Sequence, residues 1–389
     1  MLPAWSAIMM KMPVYLDYNA TTPVIPQVAD AIEPYLRQSH LFGNPSSSHV
    51  YGQRAHDAVD VSRAQLAKLI GAQSNEIIFT GCATEANNLA IRGAANALRH
   101  RGRHLITSSI EHPSVAAPFD YLAQNGWDVT ILPVDRFGLI DPESVAEALR
   151  PDTVLVSVMH ANNEVGTIQA ISSIAAITQP KGIVLHTDAA QSMGKIPVLV
   201  DELGVDLLTI AGHKFYATKG VGALYIRYNT PIVPLLVGAG HEQGLRPGTE
   251  NVPAIVGIGE AADFAYKNNA HGKNKLTRLR DSLHEHLAHE IPELRLNGHP
   301  NKRLPNTLNL SFPNVSGREL LENAADHVSA SVGSACHEEG NNVSGVLGAM
   351  GLSPQEAEGA VRLSIGLQTT EKDVELAAKA LISAFKKCF

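Results

Sequence analysis

The sequence predicts an α/β protein with a large lobe on a mostly parallel sheet and a smaller C-terminal α+β lobe. Three observations carry this. Short apolar runs alternate with helical stretches along most of the chain, the pattern of βαβ units. Several of those runs, residues 153–159 above all, are apolar throughout rather than at every second position, as strands covered on both faces are. And 389 residues exceed one ordinary domain. The division expected is a large domain over residues 15–255 and a small one over 256–389 joined by residues 1–14.

Bulk properties narrow the function. The chain is 44% hydrophobic and 18% charged, as compact globular proteins are. A net charge of −7 gives no basic footprint, so no nucleic-acid partner is expected. The cysteines, Cys82, Cys336 and Cys388, form no CxxC pair and no disulfide framework, which points to a reducing compartment. The opening MLPAWSAIMMKMP has no basic residue before its brief apolar run, so it does not read as a secretory signal. No stretch approaches the roughly 20 apolar residues of a membrane helix. A soluble, cytoplasmic protein without internal repeats is expected.

In chain order, YLDYNATTPVIP from Tyr15 is a short strand ending in a turn rich in Asn, Thr and Pro. GNPSSSH is a loop before a helix over 52–70. Residues 76–80, EIIFT, read as a strand that runs into GCATEANNLAIRGAA, a small-residue turn opening a helix. Unpaired N–H groups and the helix dipole make such a turn a ready phosphate site. Residues 105–109 form a strand ending at Glu111, His112 and Pro113. The strand over 153–159 leads into HANNEVGTIQ.

Two later stretches carry the chemistry. In GIVLHTDAAQSMGK, Asp188 closes an apolar strand over 183–186. It has the plain alternative of capping the turn that follows. In DLLTIAGHKFYATKGVGALYIR, Lys214 follows a second buried strand, and another covers 221–226. Lysines are mostly exposed, so a surface position is the default. However, ligands of parallel sheets bind outside the carboxyl ends of strands. An Asp and a Lys on two such ends suit the two ends of pyridoxal phosphate. The lysine forms a Schiff base, and the carboxylate pairs with the protonated ring nitrogen.

HTDAAQSMGK with GHKFYATKGVGALY resembles the class V aminotransferase family, and within it the cysteine desulfurases and selenocysteine lyases. The resemblance runs from YLDYNATTP to the C-terminal helices. It implies the fold-type I architecture of pyridoxal phosphate enzymes, with a seven-stranded type of sheet in the large domain. It also assigns roles. Lys214 holds the cofactor, Asp188 the ring nitrogen, and His112 the ring face, where it also moves protons. Asn163 and Gln191 reach the cofactor hydroxyl. Ala83, Thr84, Ala211 and His213 line the phosphate, together with Thr249 from a neighbouring subunit, which makes the enzyme a homodimer. Asn19, Asn163 and Arg362 meet the substrate, with Arg362 gripping its α-carboxylate.

Departures from the family wording are visible. Gly81 and Cys82 replace Ser-Gly, and Cys82 is then either a small buried residue or an oxidisable thiol near the cofactor. Ala211 stands where many relatives have a Ser. Ala217 and Thr218 replace Gly-Pro, and His241 and Gln243 in GAGHEQG depart from the more usual GGGQERG.

Beyond residue 254 the chain reads as two helices, 254–270 and 275–290, followed by strands over 308–312 and 328–332. His284, His286 and His289 lack an accompanying carboxylate pattern, and a solvated face is preferred to a metal site. VGSACHEEGNNVSGVLGAMGL then carries Cys336 in a glycine- and asparagine-rich loop of the kind that carries function. His337 favours its thiolate, and Glu338 and Glu339 oppose it. By resemblance Cys336 attacks the substrate sulfur. L-cysteine becomes alanine, and a Cys336 persulfide passes to an iron–sulfur scaffold or thiol carrier. The acidic wording after Cys336 also resembles selenocysteine lyases, which would release selenide from L-selenocysteine. A catalytically idle scaffold for sulfur-transfer partners is a third reading, opposed by the joint presence of Lys214, Asp188, His112, Arg362 and Cys336.

Overall fold

A computed structural model describes residues 12–333 and 344–389, with 269–271 by backbone alone. The strands are β1 (Val14–Tyr15), β2 (Ile77–Thr80), β3 (His104–Ser108), β4 (Asp128–Leu132), β5 (Thr153–Ser157), β6 (Val184–Asp188), β7 (Leu207–Ala211), β8 (Gly222–Ile226), β9 (Arg295–Asn297), β10 (Thr307–Ser311), β11 (Val328–Ser329) and β12 (Ala360–Ser364). A seven-stranded sheet has the order β2-β8-β7-β6-β5-β3-β4. β8 runs antiparallel to both its neighbours and the remaining pairings are parallel.

The side chains of this sheet divide between two cores by alternation. Ile77, Phe79, Ile106, Val156 and Leu208 join one cluster. Ile78, Leu105, Leu155, Leu207 and Leu224 join another on the opposite face. Successive side chains on a strand point to opposite faces, so both faces are covered and the strands are apolar throughout. β4 had no counterpart in the sequence reading. It lies at the sheet edge, where only Leu132 is fully buried, so it lacks a continuous buried run. β9, of three residues, was missed for the same reason at the edge of the small sheet.

The small sheet has the order β12-β10-β9, antiparallel throughout. Leu308, Leu310, Val361 and Leu363 fill a third core with the helix Glu371–Lys387. β1 pairs parallel with β11, and Asp17 bridges to Ser364. The N-terminal segment then crosses to the large sheet, where Thr22 N donates to His213 O at 3.0 Å.

The two helices expected over 254–290 are one helix, Val252–Glu290, of 39 residues. At 1.5 Å per residue it is about 58 Å long. Its first part, with Ile255, Ile258 and Ala262, packs on the large core. Its second part, with Leu276, Leu279, Leu283 and Leu287, packs on the small one. Burial at both ends carries the helix through a polar centre that propensity alone would break. The boundary expected between 255 and 256 falls in its first turn. Among the described residues no helix is long and apolar enough to cross a membrane.

Candidate active site

The parallel strands present their carboxyl ends to one edge of the large sheet, and a cavity of about 280 Å³ opens there. Asp188 ends β6. Ala211 ends β7, and His213 and Lys214 lie in the turn that follows. The turn after β2 brings Cys82, Ala83 and Thr84, and the segment after β5 brings Asn163. His112, Ser114, Gln191, Asn19 from the N-terminal crossing and Arg362 from β12 also line it.

His112 is placed by a helix start. It is the N-cap of the helix Pro113–Gln124, with Pro113 at the first helical position, where a missing N–H costs nothing. Its Nδ1 accepts from Ser114 N at 3.1 Å and lies 2.8 Å from Ser114 Oγ. Burial lowers the imidazole below its usual pKa. Asp188 opposes that shift, Lys214 adds to it, and Glu164 opposes it. Asp188 is 6% exposed. Its Oδ1 accepts from Ala190 N at 2.9 Å, so it does cap the following turn. Its Oδ2 accepts from Asn87 Nδ2 at 2.8 Å.

Lys214 Nζ donates to Asn19 O and Ala20 O, each at 2.7 Å. Asn19 O also accepts from Gln191 Nε2 at 3.0 Å. Gln191 Oε1 in turn accepts from Lys195 Nζ at 3.2 Å, which fixes the orientation of that amide. Lys195 is 4% exposed. Burial brings its pKa down to about 7, with Lys214 and Arg362 pushing the same way.

At the other end of the cavity, β8 supports the turn that opens the helix Ala83–Asn88. A Cβ on Gly222 would lie 2.8 Å from Cys82 C and 3.0 Å from Ala83 N, so the turn seats only on a glycine. Glu85 closes the turn by accepting from Gly81 N at 2.7 Å, and Arg246 Nε holds Glu85 at 2.9 Å. Cys82 is exposed and faces the cavity, which overturns its reading as a small buried residue. It is the N-cap of the helix Ala83–Asn88, with extended backbone and no capping hydrogen bond from its side chain. Burial, with Lys214, Lys219 and Lys195 adding, lowers His213 to about 4.

Arg362 is 3% exposed. It donates from Nη2 to Asp17 Oδ1 at 2.8 Å and from Nη1 to Asn163 O at 3.2 Å. Asn19 Nδ2 donates to the same Asn163 O at 3.1 Å. The candidate residues of cofactor and substrate thus meet in one cavity, with two exceptions. Thr249 is exposed and lies in a separate pocket with Arg246 and Glu250. Cys336 lies outside the described residues. The histidines over 284–289 do not gather: His286 Nδ1 lies 2.6 Å from Ser282 O and His289 pairs with Glu290.

Sequence reasoning missed Asn87, Ser114, Lys195, Glu85, Arg246 and Asp17. Asn87 and Glu85 sit inside the quoted ATEANN, and Asp17 inside YLDYNATTP, so position near a motif was a usable signal. Lys195 stands four residues after Gln191 inside the quoted HTDAAQSMGK, a spacing that can bring two side chains together, whereas nothing in the sequence paired Arg246 with Glu85.

The donor set suits pyridoxal phosphate. A buried carboxylate, an imidazole and a lysine amine line the same cavity as a helix start, and the first backbone N–H groups of a helix have no partner within it and suit an anion. Fold and site together define a pyridoxal phosphate enzyme with a large α/β sheet domain. Residues 14–376 match the family Aminotransferase class-V, and the chain belongs to it. It is 46% identical over 379 residues to a protein of Dictyoglomus turgidum named cysteine desulfurase IscS, covering 97% of this chain and 96% of that one. A Methanosarcina thermophila protein of the same name is 44% identical, covering 93% and 89%. A solved structure titled NifS-like protein superposes with a TM-score of 0.90 at 36% identity, covering 97% of this chain and all of that one. Another, titled SspA in complex with cysteine, has a TM-score of 0.81 at 38% identity, covering 92% and 99%.

Proposed function

We infer that this chain is a cysteine desulfurase, converting L-cysteine to L-alanine with pyridoxal phosphate. One observation carries the reading: Lys214, Asp188, His112 and Arg362, from four separate elements, line one cavity. When bound, pyridoxal phosphate supplies an aldehyde for amine attachment and a ring that accepts electrons from the substrate's Cα and Cβ. Asp188 would hold the ring nitrogen, and Asn163 and Gln191 the hydroxyl. Ala83, Thr84, Ala211 and His213 would line the phosphate.

The chain's own groups then do the following. Arg362 binds the substrate carboxylate through its planar fork, beside Asn19 and Asn163. Lys214 serves as base at the substrate Cα, with its amine directed by Asn19 O and Ala20 O. His112 exchanges a proton through Nε2, because Nδ1 is engaged by Ser114. Cys336 takes the sulfur: its thiolate attacks the substrate sulfur, the C–S bond breaks, and the sulfur stays on Cys336 as a persulfide while alanine leaves. Atoms balance, since cysteine plus thiol gives alanine plus persulfide.

The acceptor we infer is an iron–sulfur scaffold or thiol carrier. We further propose a cytoplasmic homodimer in which Thr249 completes the neighbouring subunit's phosphate site, supported by its exposure away from the cavity of its own chain. The domain division proposed stays at 255/256, with the N-terminal segment belonging to the small domain, as the β1–β11 pairing supports.

The test is alanine formation from L-cysteine and from L-selenocysteine, in wild type and Cys336→Ala. Activity on cysteine that disappears in the variant is expected. Turnover confined to selenocysteine would make the enzyme a selenocysteine lyase. No turnover and no cofactor band would make it an idle scaffold.

A further inference from the structure

Asn87 stands at a junction the proposed mechanism does not use. It is fully buried in the helix Ala83–Asn88. Its Nδ2 donates to Asp188 Oδ2 at 2.8 Å and to Ser114 Oγ at 2.8 Å. A primary amide has two N–H bonds on one nitrogen, so both are spent here. The reversed amide would set a carbonyl oxygen against a carboxylate, so the orientation is fixed. It is fixed at the expense of Asn87 Oδ1, which is buried without a hydrogen-bond partner among the described residues.

The consequence runs through Ser114. Its Oγ accepts from Asn87, and its own proton is directed to His112 Nδ1, 2.8 Å away. Ser114 N donates to the same nitrogen. His112 Nδ1 is therefore an acceptor, and the neutral ring carries its proton on Nε2.

We propose that Asn87 is a positioning residue that couples the two ends of the site, orienting the Asp188 carboxylate and setting the His112 tautomer through Ser114. The inference rests on the reading of this cavity as the cofactor site. Asn87 touches neither substrate nor cofactor in this role. Among the described residues the charged groups acting on His112 are Asp188, Lys214 and Glu164, and the hydrogen bonds at Nδ1 are those of Ser114.

The experiment uses the full-length holoenzyme labelled with ¹⁵N-histidine, with His112→Gln to assign the resonance. Wild type should show Nδ1 unprotonated and Nε2 protonated. Asn87→Leu keeps the branching and removes both donors. It should raise the titration midpoint of His112 and weaken pyridoxal phosphate binding roughly 10-fold, the loss of one charge-assisted hydrogen bond. Ser114→Ala should raise the His112 midpoint with a smaller loss of cofactor affinity than Asn87→Leu, because the Asn87 contact to Asp188 remains. In the double variant the two His112 shifts should be less than additive, because the hydroxyl that carries part of the Asn87 effect is already gone.

A lowered Tm in Asn87→Leu with His112 titration and cofactor affinity unchanged would mean mere packing and overturn the proposal. Additive His112 shifts, or Nδ1–H in wild type, would overturn it too. A wild-type protein that binds no pyridoxal phosphate defeats the functional reading, while the tautomer is still read from the same spectra.

Discussion

Arg362 Nη2 lies 2.8 Å from Asp17 Oδ1, so the last strand of the small sheet is tied to the N-terminal segment at the cavity wall. Arg362 is almost fully buried, whereas Asp17 keeps 21% of its side chain exposed. The guanidinium spends Nη1 on Asn163 O, and its Nε is buried without a partner among the described residues. One carboxylate thus compensates the buried charge and orients the fork, and donor capacity remains for a second carboxylate.

Replacing the fork with a point charge should therefore cost substrate binding. Arg362→Lys should raise KM for L-cysteine by about 10- to 100-fold, the loss of one charge-assisted pair. Asp17→Asn keeps an acceptor and should raise it only a few-fold. Steady-state alanine formation across cysteine concentrations measures both. An unchanged KM in Arg362→Lys would remove Arg362 from the substrate site.

The strands that build the site were legible because burial on both faces writes itself as a continuous apolar run, as in β5 and β7. Asp188 and Lys214 stood out against those runs because charge at the end of a buried strand needs a reason. What stayed hidden were partners brought together only by folding. Asn87 and Asp188, or Arg246 and Glu85, share no periodicity that a sequence could display. The break expected near residue 270 had a different cause. Helix propensity sees a polar stretch with Gly272, and it does not see the two cores that hold the helix from either end.

Gly272 accordingly lies in a helix interior that gains nothing from its flexibility. A Cβ there would meet Leu367 Cδ2 at 3.6 Å, an ordinary contact. Gly272→Ala should stabilise the protein by about 0.5–1 kcal/mol, chiefly through the unfolded chain. A urea midpoint that rises with unchanged slope is the expected result. A fall would show that the helix needs the glycine at this point.

Gly222 is the opposite case. Its Cβ would press on Cys82 C and on Ile210 O, both at 2.8 Å. Neither is the end of a flexible side chain, so the turn before the helix Ala83–Asn88 must shift. Gly222→Ala should weaken pyridoxal phosphate binding about 10-fold or more, with a loss of stability of about 1–3 kcal/mol from overpacking. Cofactor retention on gel filtration, followed by absorbance, separates the two effects. Full retention would mean that this turn does not hold the phosphate.

Glu111 gives the site a pH dependence of definite sign. Its Oε1 accepts from Ser108 Oγ at 2.5 Å and from Met159 N at 2.9 Å, while Oε2 is buried without a partner among the described residues. Burial raises its pKa from 4.5 to about 8, against the pull of those two hydrogen bonds and with Asp188 adding to the rise. The folded state therefore keeps a proton that the unfolded chain releases near 4.5. The stability contributed is fully present below the unfolded value and is lost as pH rises through about 8. Glu111→Gln places a neutral amide at the same position and removes that dependence. Its Tm relative to wild type should rise steadily between about pH 5 and about pH 9, with the variant the more stable at the alkaline end. Parallel Tm curves for the two proteins across that range would show that Glu111 is already ionised in the fold.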